Sequence, residues 1–153
     1  GRQLSKLPID PRLARMLLQA NDEGSLKEVL IVVAALSVQD PRENPAEKRE
    51  AAREKHSRFK DTESDFLSLL KLWDYLEELR QELSNNQFAR RCKKEFLAPQ
   101  RVREWRETHH QLRSICKKLA LTENSQEADS SSIHRALLAG LLTHIGFQQE
   151  NTR

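Results

Sequence analysis

Ser25-Leu26-Lys27-Glu28-Val29-Leu30-Ile31-Val32-Val33-Ala34-Ala35-Leu36 is the stretch that decides the fold. Serine followed three positions later by glutamate is a capping box, which predicts a helix beginning at Leu26. From Val29 to Leu36 the run is apolar on every side, so such a helix has no face left for solvent and belongs at the buried centre of a domain. It is also far shorter than the ~18 apolar residues needed to cross a bilayer.

Working outward, the same helical grammar recurs. Upstream, Asp10-Pro11 supplies a cap and a proline at the first helical position, with Leu13, Met16, Leu17 and Ala20 at helical spacing and Gly24 at the end. Downstream, Asp40-Pro41 breaks the central helix, and Asn44-Pro45-Ala46-Glu47 restarts the chain into an almost entirely charged helix to about Phe59, whose plain reading is a solvated face. A long helix follows over residues 64–83, with Phe66, Leu69, Leu70, Trp73, Leu76 and Leu83 expected on one side. Ser84-Asn85-Asn86-Gln87 is a second capping box, opening a helix to Leu97 that turns Phe88, Cys92 and Phe96 inward. Pro99 opens the longest amphipathic segment, to about Leu119. Residues 122–130 read as a polar loop. A last helix spans about 131–145, apolar at Ile133, Leu137, Leu138, Leu141 and Leu142 and ending near Gly146. Seven helices with no alternating strand pattern predict an all-α bundle.

Composition excludes several functions. Of 153 residues, 32% are charged and 37% hydrophobic, which suits one soluble domain. Glycine stands only at Gly1, Gly24, Gly140 and Gly146, so no phosphate-cradling loop of clustered glycines can be built. His56, His109, His110, His134 and His144 form no HExxH and no finger spacing with cysteine, leaving a metal site without support. Cys92 and Cys116 lack CxxC spacing, and Cys116 falls on an apolar stripe, as a small core residue does. Glu77, Glu78 and Glu82 read as solvated charges rather than a catalytic pair, and Trp73 and Trp105 as core.

The net charge is only +3, but it is unevenly placed: residues 86–119 carry ten cations against three acids, +7, leaving −4 elsewhere. On the helix from Pro99, Val102, Trp105, His109, Leu112, Ile115, Cys116 and Leu119 share one face. Arg103, Arg106, His110, Arg113 and Lys117, spaced by three and four, form an adjacent stripe with Arg101 one turn before it. Such a row on one rigid helix can follow a phosphate backbone, because arginine offers phosphate a planar fork. It can equally pair with acids of neighbouring helices, and spacing leaves both readings open.

Several stretches together resemble the helicase-associated region of the DEAH-box ATP-dependent RNA helicases, most closely of the bacterial type. They are Gly1-Arg2 with Leu7-Pro8-Ile9-Asp10-Pro11-Arg12-Leu13-Ala14-Arg15-Met16, then Ala35-Leu36-Ser37-Val38-Gln39-Asp40-Pro41-Arg42 and Glu63-Ser64-Asp65-Phe66-Leu67. Arg91-Cys92 leading to Phe96-Leu97, Arg101-Val102-Arg103-Glu104-Trp105 up to Gln111-Leu112, and His134 through His144-Ile145-Gly146 complete them. The resemblance implies that residues 1–10 are the tail of a preceding winged-helix domain, 11–147 a helical ratchet and 148–153 an unstructured tail. It implies a parent that hydrolyses ATP with Mg in RecA-like domains and moves 3′ to 5′ on single-stranded RNA. RecA-like, winged-helix and OB-fold domains of the same polypeptide would be the partners of this piece, in a monomeric protein of the bacterial cytoplasm with no membrane association. On this reading the chain carries no catalytic residue, cofactor or metal of its own, and Arg101, Arg103, Arg106, His110, Arg113 and Lys117 face RNA. A free-standing helical module whose basic face docks an acidic protein is the alternative.

Overall fold

A computed structural model describes residues 10–151, with side chains to residue 142. Among the described residues the chain is all-α. It comprises α1 (Pro11–Glu23), α2 (Leu26–Leu36), α3 (Arg49–His56) between 3-10 turns at Ala46–Lys48 and Ser57–Phe59, α4 (Asp65–Glu82), α5 (Asn85–Lys94), α6 (Pro99–Lys118) and α7 (Ser130–Asn151). These residues form two compact units, one from residues up to 33 and from 109 onward, the other from residues 34–108. The expected winged-helix tail lies outside the described residues except for Asp10, which caps α1.

In the first unit, Asp10 accepts a hydrogen bond from the Arg12 backbone N–H at 2.8 Å, and Pro11 opens the helix. Gly24 ends α1 in the left-handed region, φ 74°, where a Cβ is costly. Ala14, Met16, Leu17 and Ala20 of α1 are buried, as are Ile133, Ala136 and Leu137 of α7. Gly140 sets how closely these helices approach: a Cβ there would lie 2.4 Å from the Arg12 carbonyl oxygen and 2.6 Å from Met16 Cγ. The leading turns of α2 are the expected centre, with Leu26, Val29, Leu30, Val32 and Val33 fully buried.

The cap of α2 differs from expectation. Ser25 Oγ is buried with no hydrogen-bond partner, so the predicted capping box is not formed. Its glutamate is engaged elsewhere: Glu28 accepts from Asn124 Nδ2 at 2.9 Å and from the Ala128 backbone N–H at 3.0 Å. A carboxylate buried with the helix start tethers the polar loop of residues 122–129 instead of capping its own turn.

The second unit begins with the last turn of α2 and the break at Pro41. Arg42 donates to Asp40 at 2.8 Å and to Asp65 at 2.8 and 3.0 Å. It also forms an isolated antiparallel bridge with Leu97. Flanking bonds run from Glu43 N–H to the Phe96 carbonyl and from Ala98 N–H to the Pro41 carbonyl, each 2.8 Å. The Gln39-Asp40-Pro41-Arg42 stretch is thus a structural clamp. The Asn44 cap is not made: Pro45 occupies the cap position without a side-chain acceptor, the turn after it is 3-10, and α3 starts only at Arg49. The box at Ser84 and Gln87 is made in both directions, at 3.2 and 3.0 Å.

Three expectations about faces and ends are corrected. The buried side of α4 is Ser68, Leu69, Leu72, Leu76 and Leu79, while Phe66, Leu70 and Trp73 are only half-buried, so the face is rotated toward Leu72. The fifth helix stops at Lys94, because Phe96 adopts φ 58° and sends Leu97 into the bridge with Arg42. In the last helix Leu138, Leu141 and Leu142 are 51, 40 and 56% exposed, since the side meeting α1 is that of Ile133, Ala136, Leu137 and Gly140. Its backbone continues past Gly146 to Asn151, so only residues 152–153 of the expected tail lie beyond it and outside the described residues.

Candidate nucleic-acid interface

Proline at its first position and an apolar stripe fix α6: Val102, Trp105, Leu112 and Cys116 are buried, and His109, Ile115 and Leu119 half-buried. Trp105, fully buried, meets Trp73 edge-on with ring centroids 5.0 Å apart, so neither indole is a free stacking platform. This burial turns the cations of α6 outward.

In the second unit, Arg101 donates to the Asp40 carbonyl at 3.2 Å and Arg106 to Glu77 at 3.3 Å, while Arg103 is exposed and makes no ion pair among the described residues. In the first unit, Arg113 pairs with Glu123 at 2.5 Å, and His110 and Lys117 are exposed without an acidic partner among the described residues. The two readings left open by spacing therefore divide the stripe: Arg106 and Arg113 are in ion pairs, and Arg103, His110 and Lys117 are not. Pairs this exposed contribute roughly 0–1 kcal/mol each, so a phosphate could displace the carboxylates at small cost. Further cations of the second unit, Arg90, Lys93 and Lys94, are exposed on α5. Glu77 is not merely solvated; it holds Arg80 as well as Arg106.

Sequence reading missed Glu95. Although charged, it is 6% exposed and accepts from Arg58 Nη2 at 2.6 Å and from the Tyr75 hydroxyl at 2.7 and 2.8 Å. Burial, then the bond to Glu95, raises the Tyr75 pKa above its ordinary value. His56 Nε2 donates to the Glu95 and Phe96 carbonyls, both 3.0 Å away, closing the end of α5. No linear pattern marks this hub; its only signal is that Glu95 interrupts a cationic run next to Phe96. The cysteines are inert: burial, with Glu95 beside Cys92 and Glu123 beside Cys116, pushes both thiols up to about 11. Among the described residues no three His, Cys, Asp or Glu side chains gather as metal ligands, and no helix is long and apolar enough to cross a membrane.

Residues 10–69, from the cap of α1 to the middle of α4, match the family described as helicase associated domain (HA2), ratchet-like. The chain carries the helicase-associated domain of the DEAH-box RNA helicases. The ratchet-like domain is 52% identical over 149 residues to the ATP-dependent RNA helicase HrpA homolog of Haemophilus influenzae. It is also 52% identical over 148 residues to ATP-dependent RNA helicase HrpA of Escherichia coli. Each alignment takes in 97% of this chain and 11% of the relative, so the chain spans about a ninth of the length of these curated relatives. A pre-mRNA-splicing factor ATP-dependent RNA helicase, DEAH10 of Arabidopsis thaliana, is 30% identical over 147 residues, 91% of this chain and 20% of that protein. The bacterial alignments run well beyond residue 69 and so include α6, which the family match leaves out.

Proposed function

We propose that the chain is the RNA-gripping accessory domain of an ATP-dependent DEAH-box RNA helicase. The observation that carries this reading is the 52% identity to two bacterial RNA helicases over a chain whose longest amphipathic helix leaves Arg103, His110 and Lys117 exposed and without acidic partners. Guanidinium and ammonium groups held on a rigid helix attract the backbone of a single strand without reading its sequence. Arg101, Arg106 and Arg113 join them once phosphate replaces Asp40, Glu77 and Glu123 as acceptor. The parent hydrolyses ATP with Mg in RecA-like domains and moves 3′ to 5′ along RNA. The ratchet, with winged-helix and OB-fold domains of the same polypeptide, closes the channel for the strand. The parent acts as a monomer in the bacterial cytoplasm.

The test is RNA affinity of the parent helicase as a function of salt. Each lost phosphate contact flattens the slope of log affinity against log salt by about 0.7 for a single strand, so Arg103→Ala with Lys117→Ala should flatten it by about 1.4. RNA-stimulated ATPase and unwinding should fall while basal ATPase stays. Unchanged affinity and slope in Arg103→Ala, Lys117→Ala and Arg113→Ala alike would refute the assignment, and a salt-insensitive RNA signal would favour a basic face that docks an acidic protein.

A further inference from the structure

The second unit contains a cavity of about 400 Å³ whose walls include Arg80, Asn85, Phe88, Val102, Arg103 and Arg106. Its volume falls at the small end of the roughly 300–1,000 Å³ typical of small-molecule sites, which suits one nucleotide. Charge and chemistry are sorted around it. Three guanidiniums face a single lining carboxylate, Glu107. Glu77, the other acid nearby, is shared: Arg80 Nη2 and Arg106 Nε each approach it only to 3.3 Å. That is longer than the ~2.7–2.9 Å of a strong charge-assisted bond, so one carboxylate leaves most of the N–H donors of two arginines unused. Arg80 Nε is buried with no acceptor, and a buried donor left unpaired is an unmet demand for one. Arg103 has no ion pair among the described residues. Two helices also start at this cavity, α5 at Asn85 and α6 at Pro99, adding the partial positive charge of their first turns.

The remaining wall is apolar. Phe88 is half-buried, so part of its ring stays open, and Pro99 and Val102 extend the surface. An aromatic face is what an unstacked base of single-stranded RNA seeks, and an asparagine amide can pair with the N6/N7 edge of adenine. We propose that this cavity captures one nucleotide of the bound strand, the base against Phe88 within reach of the Asn85 amide and its phosphate on Arg103 and Arg106. The proposal rests on the RNA-gripping reading and adds to it a contact with a base, where the α6 cations contact only the backbone.

The experiment compares two probes on the 153-residue chain by fluorescence anisotropy: a 12-nucleotide oligoadenylate, and a 12-unit abasic ribose-phosphate polymer of the same charge. Stacking on one aromatic ring should make oligoadenylate bind at least five-fold tighter than the abasic polymer. Phe88→Leu, which keeps an apolar side chain and removes the ring, should erase most of that ratio without moving abasic affinity. Asn85→Ala, at an exposed site that does not endanger folding, should reduce the ratio by a smaller factor. Arg103→Ala should weaken both probes together. An unchanged ratio in Phe88→Leu and Asn85→Ala overturns the nucleotide cavity and leaves the backbone grip standing. Binding of neither probe overturns both.

Discussion

Replacing Gly140 by alanine tests how tightly α7 is held against α1. In an isolated helix the substitution stabilises, by roughly 0.8–1 kcal/mol, because alanine is the better helix former. Here the new methyl would lie 2.4 Å from the Arg12 carbonyl oxygen, 2.6 Å from Met16 Cγ and 3.0 Å from Met16 Cε, against ordinary contact from 3.4 Å. Methionine is adaptable and can swing aside. The carbonyl belongs to the backbone in the first turn of α1, so the helices must part locally by about 1 Å, loosening the packing of Leu17 and Ala20 on Ile133 and Leu137. Overpacking a filled core costs about 1–3 kcal/mol, and a backbone obstacle puts this site in the upper half of that range. Net of the propensity gain, we expect a loss of about 1–2 kcal/mol, which at ~2–4 °C per kcal/mol is a fall in Tm of about 3–6 °C. Thermal unfolding followed by circular dichroism at 222 nm measures it. Leu138→Ala, at a side chain 51% exposed, is the control and should stay within about 0.5 kcal/mol of wild type. A Gly140→Ala protein that melts at or above the wild-type temperature would refute the close approach.

Two further outcomes are expected. Glu28→Ala removes the acceptor that holds Asn124 and Ala128; hydrogen bonds to a charge are worth about 1.5–3 kcal/mol each, so the loop of residues 122–129 should open. Faster amide exchange at Ala128 and new proteolytic cuts in the loop, with little loss of helical signal, would show it, and an unchanged Ala128 exchange rate would contradict it. The buried thiols should ignore Ellman's reagent at pH 8 until the protein is unfolded. Because Cys92 and Cys116 titrate near 11 in the folded chain against an ordinary 9.0, folding favours the protonated thiols. That contribution is intact below pH 9 and is lost as pH rises through 11, so Tm should drop across this window. Rapid labelling of the native protein would rule out the burial on which both statements depend.

Helices proved legible from sequence where local chemistry decides them. Asp10-Pro11, Gly24 and Ser84 with Gln87 act within one turn of themselves, and α1 and α5 begin where those signals place them. The signals fail where a distant group competes: Glu28 has the right spacing to Ser25, but Asn124 and Ala128 take its carboxylate, and no local pattern announces that. Phe96 at φ 58° is similarly unreadable, since the bridge between Arg42 and Leu97 imposes it. The basic stripe was found by periodicity, whereas the division between Arg106, held by Glu77, and the unpaired Arg103 required the fold. The hub at Glu95 was invisible because its partners, Arg58 and Tyr75, come from two other segments.

The two units differ in how the chain enters them, and this sets an order of events during synthesis. The unit of residues 34–108 is one uninterrupted piece, complete as soon as that piece has left the ribosome. The other must close a loop of about a hundred residues: Ser132 Oγ reaches the Glu23 carbonyl across 109 positions and Asn124 reaches Glu28 across 96. Until then the fully apolar start of α2 has been made without the α7 residues that belong to its unit. The nascent chain therefore carries Leu26, Val29, Leu30, Val32 and Val33 as an exposed hydrophobic segment through most of its translation, which is when a chaperone would find it and when a stalled ribosome would leave it to aggregate.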